Sequence, residues 1–248
     1  MITRKSPAEI ATMRRAGRVV AEVLALVEEE LRPGVSTAHL DALAEAHIRK
    51  SGATPSFKGY YGFPASLCIS IDREVVHGIP GDRIIREGQV VSVDAGAIVE
   101  GWHGDAARTF VVGEVAQPVR DLVDATRQAL EAGIAAARPG NRIWDVSAAV
   151  EDVALPRGYG VVRPYVGHGI GTSMHEEPQV PNYRTKTRGI ELAPGICLAI
   201  EPMFTLGSAE VETLGDGWTV VTSDGSIAAH WEDSIAVTDN GPEVLTRP

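Results

Sequence analysis

The feature that most constrains the fold of this chain is an internal repeat, in which one pattern of residues returns about 106 positions later. The pair Pro33-Gly34 returns as Pro139-Gly140, and Gly52 returns as Gly158. Each Pro-Gly pair separates two helix-like segments, and each later glycine ends the second segment. A repeat of this length predicts a pseudo-symmetric fold, although a coincidence of common dipeptides would produce some of these matches.

The first half of the repeat begins with two predicted helices. Residues Ser6 to Glu9 match a capping box with proline at the first helical position, and apolar residues then recur at spacings of three and four. The pair Pro33-Gly34 ends this helix. A second helix is predicted to start near Thr37 and to stop at Gly52.

Carboxylates occupy corresponding places in the predicted strands of both halves. An apolar strand ends at Asp94 in the first half, and a similar strand ends at Glu201 in the second. Asp105 and Glu232 each precede a segment with strand-forming residues. We therefore expect an α/β (α+β) fold in which each half packs a pair of helices on a curved antiparallel sheet.

The length and composition suit one large domain. With 248 residues and 44% hydrophobic content, the chain can bury a sizeable core. We expect a single domain over residues 1–248, with repeat halves at roughly 6–113 and 114–240. Because 33 acidic residues outnumber 23 basic ones, the net charge of −10 argues against nucleic acid as a partner.

The cellular location is predicted from what the sequence lacks. The N-terminal segment has no apolar run of the secretory type, and no stretch of about 18 uncharged apolar residues occurs. We therefore expect no membrane span and predict the cytoplasm as the location. Cys68 and Cys197 are too few for a disulfide framework and are interpreted as reduced, buried thiols.

The four carboxylates at repeated positions favour a metal site. If the two halves face each other, these acids converge, and their mutual repulsion would force protonation unless cations compensate it. Two divalent ions would offset four negative charges, and a carboxylate can bridge two such ions. An oxygen-rich cluster of this kind favours Mn, Fe or Co without excluding catalytic Zn.

Three histidines are further candidates for a functional site. His168 and His175 lie in the segment GHGIGTSMHEEP, whose glycines let the backbone approach a ligand closely, and His77 lies in VVHGIP. Their spacing matches no zinc signature, and HExxH, GxSxG and Walker motifs are absent from the sequence. By spacing alone, a lone histidine such as His77 is more often structural than catalytic.

At these residues the sequence resembles the bacterial type I methionine aminopeptidase family over nearly all of its length. The resemblance lies in six motifs in the family's order, which are VVHGIP, WHGD, GHGIGTSMHEEP, AIEPM, DGWT and WED. It implies the pita-bread fold, in agreement with the internal repeat, and makes the single domain a catalytic metallopeptidase domain. The implied activity is removal of the initiator methionine from new proteins when the second residue is small.

The resemblance also implies two divalent metal ions, which are Co, Mn, Fe or Zn, and whose identity the sequence leaves open. By position, Asp94, Asp105 and Glu232 bind the first ion. The second ion is bound by Asp105, His168, Glu201 and Glu232, so Asp105 and Glu232 bridge the pair.

Three residues take catalytic roles in the family pattern. Glu201 takes up the proton of the attacking water and passes it on. His77 contacts the peptide nitrogen of the substrate, and His175 contacts the scissile carbonyl oxygen and stabilises the developing oxyanion.

The implied methionine pocket combines aromatic and sulfur contacts, which suit a flexible thioether. Four positions line it, which are Tyr60, Phe63, Cys68 and Trp218. The chain departs from the family here, because Tyr61 stands where histidine is usual, Phe63 where tyrosine is frequent and Met174 where phenylalanine or leucine is typical.

The implied substrates are N-terminal methionyl peptides and nascent chains, and family precedent implies a monomer. A transient ribosome contact would suit nascent chains, but the acidic composition gives it little support. Two alternatives stay open. One is a non-catalytic binding protein on the same fold, which we would expect to have lost ligands. The other is a proline-specific aminopeptidase, in which we would expect an additional N-terminal domain.

Overall fold

The computed structural model describes residues 2–247 as four α-helices and four antiparallel sheets. The helices are α1 (Pro7–Glu30), α2 (Thr37–Lys50), α3 (Gln117–Ala136) and α4 (Ile143–Ala154), and short 3-10 helices cover Tyr60–Gly62 and Leu155–Arg157. The strands are β1 (Thr54–Pro55), β2 (Leu67–Ile71), β3 (Glu74–Val76), β4 (Val90–Val99), β5 (Trp102–Val111), β6 (Gly160–Val161), β7 (Gly167–Gly169), β8 (Glu176–Val180), β9 (Cys197–Ile200), β10 (Met203–Thr205), β11 (Val211–Thr213), β12 (Val220–Thr222), β13 (Ala228–His230), β14 (Asp233–Thr238) and β15 (Gly241–Val244).

Local sequence signals determine the ends of the first two helices. Ser6 caps α1 by accepting the N–H of Glu9, whose carboxylate in turn accepts the N–H of Ser6, so the predicted capping box is confirmed. The helix ends at Glu30, just before the Pro-Gly pair. The second helix starts at Thr37 as predicted and ends two residues before Gly52.

Each half of the chain packs two helices on an antiparallel sheet. In the first half, β4 pairs with β5 along one edge and with β1 and β2 along the other, and α1 and α2 cover this sheet. In the second half, the strand order is β15-β14-β9-β7-β8, and α3 and α4 pack against it. The mixed helix and sheet class is therefore confirmed.

Two smaller sheets complete the fold. Strands β13-β10-β6 form one, and β11-β12-β3 form the other. The second of these joins the halves, because β3 from the first half pairs with β12 from the second.

The two halves also meet along a seam between β5 and residues 230–234. Ala107 and Glu232 exchange backbone hydrogen bonds, with N···O distances of 3.3 and 2.9 Å. The Ser234 hydroxyl donates to the Asp105 carbonyl at 2.8 Å, and the Thr109 hydroxyl donates to the His230 carbonyl at 2.6 Å. Because these contacts tie the backbone of one half to the other, they set how carboxylates from both halves face each other.

Helix α1 lies unusually close to this seam. A Cβ on Gly104 would lie 2.6 Å from the Gly17 nitrogen, and a Cβ on Gly17 would lie 2.1 Å from the Leu245 carbonyl oxygen. Both contacts are with backbone, so neither position has room for a larger residue.

The strand bounds correct one sequence prediction. Asp94 does not end its strand, because β4 continues to Val99 while pairing with β1 and β5. Glu201 does follow directly after β9. Within residues 2–247, none of the helices combines the length and apolar character needed to cross a bilayer.

Candidate metal centre

All of the site residues predicted from the sequence line one cavity of about 220 Å³. This volume lies below the roughly 300–1,000 Å³ of pockets for drug-sized ligands, so the cavity suits a small group such as a single amino-acid side chain. The predicted residues are Tyr60, Phe63, Cys68, His77, Asp94, Asp105, His168, His175, Glu201, Trp218 and Glu232, and Phe57, Tyr61 and Met174 complete the lining.

Strand register brings the carboxylates together. In the first half, Asp94 faces Ala107 and Asp105 faces Gly96, so both acids lie on the same face of the β4–β5 pair. In the second half, two pairs of facing residues lie on either side of the glutamates. They are Ile200 with Asp233 and Met203 with His230. Glu201 therefore lies opposite Glu232, and the seam brings this pair to the aspartates.

The environment of these acids disfavours negative charge. Desolvation raises the pKa of Asp94 to about 7. Burial first, and then the charges of Glu232 and Asp94, raise the pKa of Asp105 well above its usual range. Burial and neighbouring acids do the same for Glu201 and Glu232. Without cations, some of these carboxyl groups would therefore stay protonated near neutral pH.

Unpartnered atoms indicate what the cluster lacks. Among the described residues, Asp94 Oδ1, Asp105 Oδ1 and Glu232 Oε1 are buried without a hydrogen-bond partner. Buried polar atoms normally have one, so three such oxygens in one cavity fit a site built for cations. Asp105, His168 and Glu232 also bring potential ligand atoms within 4.8 Å of one another.

His168 is oriented as a ligand toward this cluster. Its Nδ1 lies 2.8 Å from the Gly169 carbonyl oxygen, to which a protonated Nδ1 donates. Its Nε2 then carries the lone pair, and lies 3.6 Å from Glu201 Oε1 and 3.9 Å from Asp105 Oδ2. Burial, followed by the charge of His175, lowers the pKa of His168 to about 3, which keeps the ring neutral.

His230 is a site residue that the sequence analysis missed. Its ring is buried, and its Nε2 lies 3.7 Å from Glu201 Oε2 and 3.8 Å from Glu232 Oε2. Burial lowers its pKa to about 3. The signal was present in the sequence, because a residue two positions before Glu232 in an extended segment points to the same side.

His175 and Tyr60 form a pair at the mouth of the cavity. The Tyr60 hydroxyl lies 2.9 Å from His175 Nδ1, and the two rings stack at 5.5 Å between centroids. The His175 ring also lies 4.3 Å from the His168 ring. Desolvation lowers the pKa of His175, so the neutral ring is favoured.

His77 is held in a strained conformation beside the same cavity. Its φ of 61° lies in the left-handed region, which costs a non-glycine residue roughly 1 kcal/mol or more. The backbone N–H of the next residue, Gly78, donates to Ser70 Oγ, and its carbonyl accepts from the Ile69 N–H. A residue with a Cβ at this position would collide with the Ile69 carbonyl oxygen. Packing against β2 therefore holds His77 in place. Burial lowers its pKa to about 4.

An apolar pocket adjoins the polar cluster. Phe63 and Trp218 meet edge to face at 5.1 Å, and Cys68 and Met174 are buried with them. Burial, and then the charge of Asp94, raise the pKa of the Cys68 thiol well above its usual range, so the sulfur stays neutral. The departure at Tyr61 is at the rim, where the side chain is 86% exposed.

Taken together, the fold and the cavity fit a metal-dependent hydrolase, because carboxylates from both halves of the chain surround one cavity. The chain belongs to metallopeptidase family M24, whose model matches residues 11–239.

Known relatives agree with this membership. The chain is 52% identical to methionine aminopeptidase of Clostridium acetobutylicum over 247 residues, which cover 99% of both sequences. It superposes on the crystal structure of methionine aminopeptidase from Thermotoga maritima with a TM-score of 0.98, at 43% identity and with complete coverage of both chains.

A more distant structure shows the fold alone. Prolidase from Pyrococcus furiosus superposes with a TM-score of 0.81 at 23% identity, and the match covers 99% of this chain and 65% of that chain. These similarities confirm the predicted pita-bread fold and the predicted family resemblance.

Proposed function

We infer that this protein removes methionine from the N-terminus of peptides and new proteins. The observation that carries this inference is the single cavity in which a carboxylate and histidine cluster adjoins an apolar pocket of aromatic and sulfur-containing side chains. The names of the full-length relatives support the same reading.

We propose that the cluster holds two divalent ions. The ligands we assign are Asp94, Asp105, His168, Glu201 and Glu232, with Asp105 and Glu232 shared by both ions. The unpartnered oxygens support this assignment, and the oxygen-rich donor set suits Mn, Fe or Co, with Zn as a further candidate. Bound divalent ions lower the pKa of water and polarise the scissile carbonyl.

Glu201 moves the proton in the reaction that we propose. Its carboxylate accepts the proton that the attacking water loses as the new carbon–oxygen bond forms. It then gives this proton to the amine nitrogen as the carbon–nitrogen bond breaks, so methionine and the shortened peptide leave with the atoms of one water molecule.

His175 stabilises the negative charge that develops on the carbonyl oxygen. If the Tyr60 hydroxyl donates to Nδ1, the proton of the neutral ring lies on Nε2, which is then free to donate to the substrate. His77, held rigidly by its turn, contacts the peptide nitrogen.

The apolar pocket selects the residue that is removed. Phe63, Cys68 and Trp218 surround a space that suits an unbranched thioether, with Tyr60 at its edge. We propose that a narrow neighbouring subsite favours a small second residue.

The cellular role that we propose follows from this substrate. Nascent chains in the cytoplasm present N-terminal methionine, and we predict a monomer whose ribosome contact, where it occurs, is transient. The two alternatives are a non-catalytic relative and a proline-specific aminopeptidase. Retention of every predicted ligand around one cavity favours an enzyme over the first.

A peptide assay tests this function directly. Metal-depleted protein is supplied with Mn or Co and incubated with Met-Ala-Ser, Met-Phe-Ser and Ala-Pro-Ser. We expect release of methionine from Met-Ala-Ser, slower release from Met-Phe-Ser and no release of alanine. Absence of methionine release with every divalent metal tried would exclude the proposed activity, and preferential cleavage of Ala-Pro-Ser would favour the proline-specific alternative.

A further inference from the structure

His230 is a buried imidazole beside Glu201 and Glu232, and the proposed reaction gives it no role. It ends β13, where it pairs with Met203 of β10, and it lies two residues before Glu232. Side chains two apart in an extended segment share a face, so His230 and Glu232 point to the same side. Within residues 2–247, its Nε2 is buried without a hydrogen-bond partner.

The contacts of His230 with the carboxylates resemble those of His168. Nε2 of His168 lies 3.6 and 3.9 Å from oxygens of Glu201 and Asp105. Nε2 of His230 lies 3.7 and 3.8 Å from oxygens of Glu201 and Glu232. Each imidazole therefore faces two carboxylates over nearly equal distances, and the two face different oxygens of Glu201.

These distances are too long for hydrogen bonds and suit atoms that share an ion. Two ligand atoms that each lie about 2.1 Å from one ion are about 3.0 Å apart at a right angle and about 3.6 Å apart at 120°. A conventional N–H···O hydrogen bond to a carboxylate would bring the nitrogen to about 2.8 Å. Glu201, His230 and Glu232 also form a separate group whose ligand atoms all lie within 4.8 Å of one another.

We propose that His230 is a further metal ligand, which binds through Nε2 an ion that it shares with Glu201 and Glu232. The proposal rests on the proposed function only in requiring a divalent ion at this cluster. With His168 and His230 both bound, the centre has two imidazole ligands, which shifts its preference toward Co, Fe or Zn relative to Mn.

The test uses the whole chain with cobalt alone as the probe. The first measurement is the distance from Co to Nε2 of His168 and His230 in a crystal of the cobalt-loaded wild-type protein. We expect a Co–N distance of about 2.1 Å for both histidines. A crystal in which His168 binds Co while His230 Nε2 lies more than about 3 Å from every ion would overturn the proposal.

The second measurement is cobalt affinity by calorimetry in His230→Gln, with His39→Gln as the matched control, because His39 is exposed on α2. Loss of a ligand should weaken at least one binding step in His230→Gln by more than the roughly 10–100-fold that follows loss of a residue that only positions a ligand, and it should leave the control unchanged. Affinities in His230→Gln within about threefold of the wild type would contradict the ligand role.

These measurements separate the two proposals. Methionine release is assayed independently on the cobalt-loaded wild type. If that protein fails to release methionine but shows Co bound to His230, the ligand role stands and the proposed function fails. The crystal of the wild type also decides the matter if His230→Gln does not fold.

Discussion

Among the individual residues, the buried carboxylates derive their behaviour from their neighbours. Asp94 alone would be an ordinary acid, but desolvation raises its pKa to about 7. Burial, followed by the charges of Glu232 and Asp94, raises the pKa of Asp105 well above its usual range. The sequence indicated this convergence, since four acids occupied repeated positions. It could not indicate which oxygens would be left unpartnered, because that depends on side-chain placement.

Loss of the His175 ring should impair the chemical step. We expect His175→Ala to lower kcat by roughly 100-fold or more, since this is the scale of losing an oxyanion donor. KM for Met-Ala-Ser should change much less, because the side-chain pocket stays intact. Steady-state kinetics of the metal-loaded variant measure both constants, with His39→Ala as the control at an exposed position. A change confined to KM would refute the oxyanion role.

How far single residues were predictable depends on the signal that each one carried. Residues within recognisable motifs, such as His77 and Trp218, were predicted, and they line the cavity. His230 was missed because the strand-forming segment was predicted to follow Glu232, although residues 230 and 232 lie on one side of the same extended segment. The left-handed φ of His77 could not be predicted from the sequence, because residues other than glycine rarely adopt this conformation.

At the scale of helices and strands, periodicity and caps predicted the helix starts, whereas the pairing of the strands was not predictable from local sequence. The start of α1 at Pro7 and of α2 at Thr37 followed from local capping and proline signals. The extent of β4 did not, because its continuation beyond Asp94 depends on pairing with β1, which is distant in sequence. The seam itself involves contacts between residues more than 120 positions apart, which no local pattern encodes.

An ionic network centred on Asp233 stabilises the seam. Asp233 is fully buried and accepts hydrogen bonds from Arg108 at 2.6 Å, from Thr246 at 2.8 Å and from Arg247 at 2.6 Å. Arg108 also donates to the Glu232 carbonyl, so the network reaches the backbone of a proposed metal ligand.

Removing the central acid of this network should destabilise the fold strongly. We expect Asp233→Ala to lower the free energy of unfolding by about 3–5 kcal/mol, because it leaves the Arg108 charge largely buried without its partner. Urea denaturation of the metal-free proteins measures this change.

A matched control for Asp233→Ala is the exposed ion pair of Arg32 and Glu30. Glu30→Ala should cost less than about 1 kcal/mol, because solvent screens exposed pairs. Equal effects of the two variants would show that the seam network adds no more than a surface pair.

For the whole molecule, composition predicted the acidic character but not where the charges pair. Arg184 pairs with Glu151 and Asp152, and Arg188 pairs with Asp145, so acids on α4 neutralise these two arginines. The division into one domain over residues 1–248 stays a prediction, and residues 1 and 248 lie outside the described part of the chain.

The stability of the metal-free protein should fall between about pH 6.5 and 8. The proposed carboxylate ligands have raised pKa values in the fold, so the folded state binds more protons than the unfolded state and stability decreases as pH rises. Five histidines with lowered pKa values act in the opposite direction, but only below about pH 6.5, where the unfolded rings still take up protons. They are His77, His103, His168, His175 and His230.

Thermal melts of chelator-treated protein across this pH window measure the effect. We expect the melting temperature to decrease toward pH 8, and added Mn to raise it more at pH 8 than at pH 6.5, because ionised carboxylates bind the ion without releasing protons. A metal-free melting temperature that rises across the window would contradict the assignment of raised pKa values to these acids.

The most direct test of the central claim is the number of metal ions that the carboxylates of both halves hold together. Calorimetric titration of metal-depleted protein with Mn should give two ions per chain for the wild type. The bridge assignment predicts that Asp105→Asn, from the first half, and Glu232→Gln, from the second, each abolish this two-ion binding. Wild-type stoichiometry and affinity in both variants would contradict a metal centre shared between the halves.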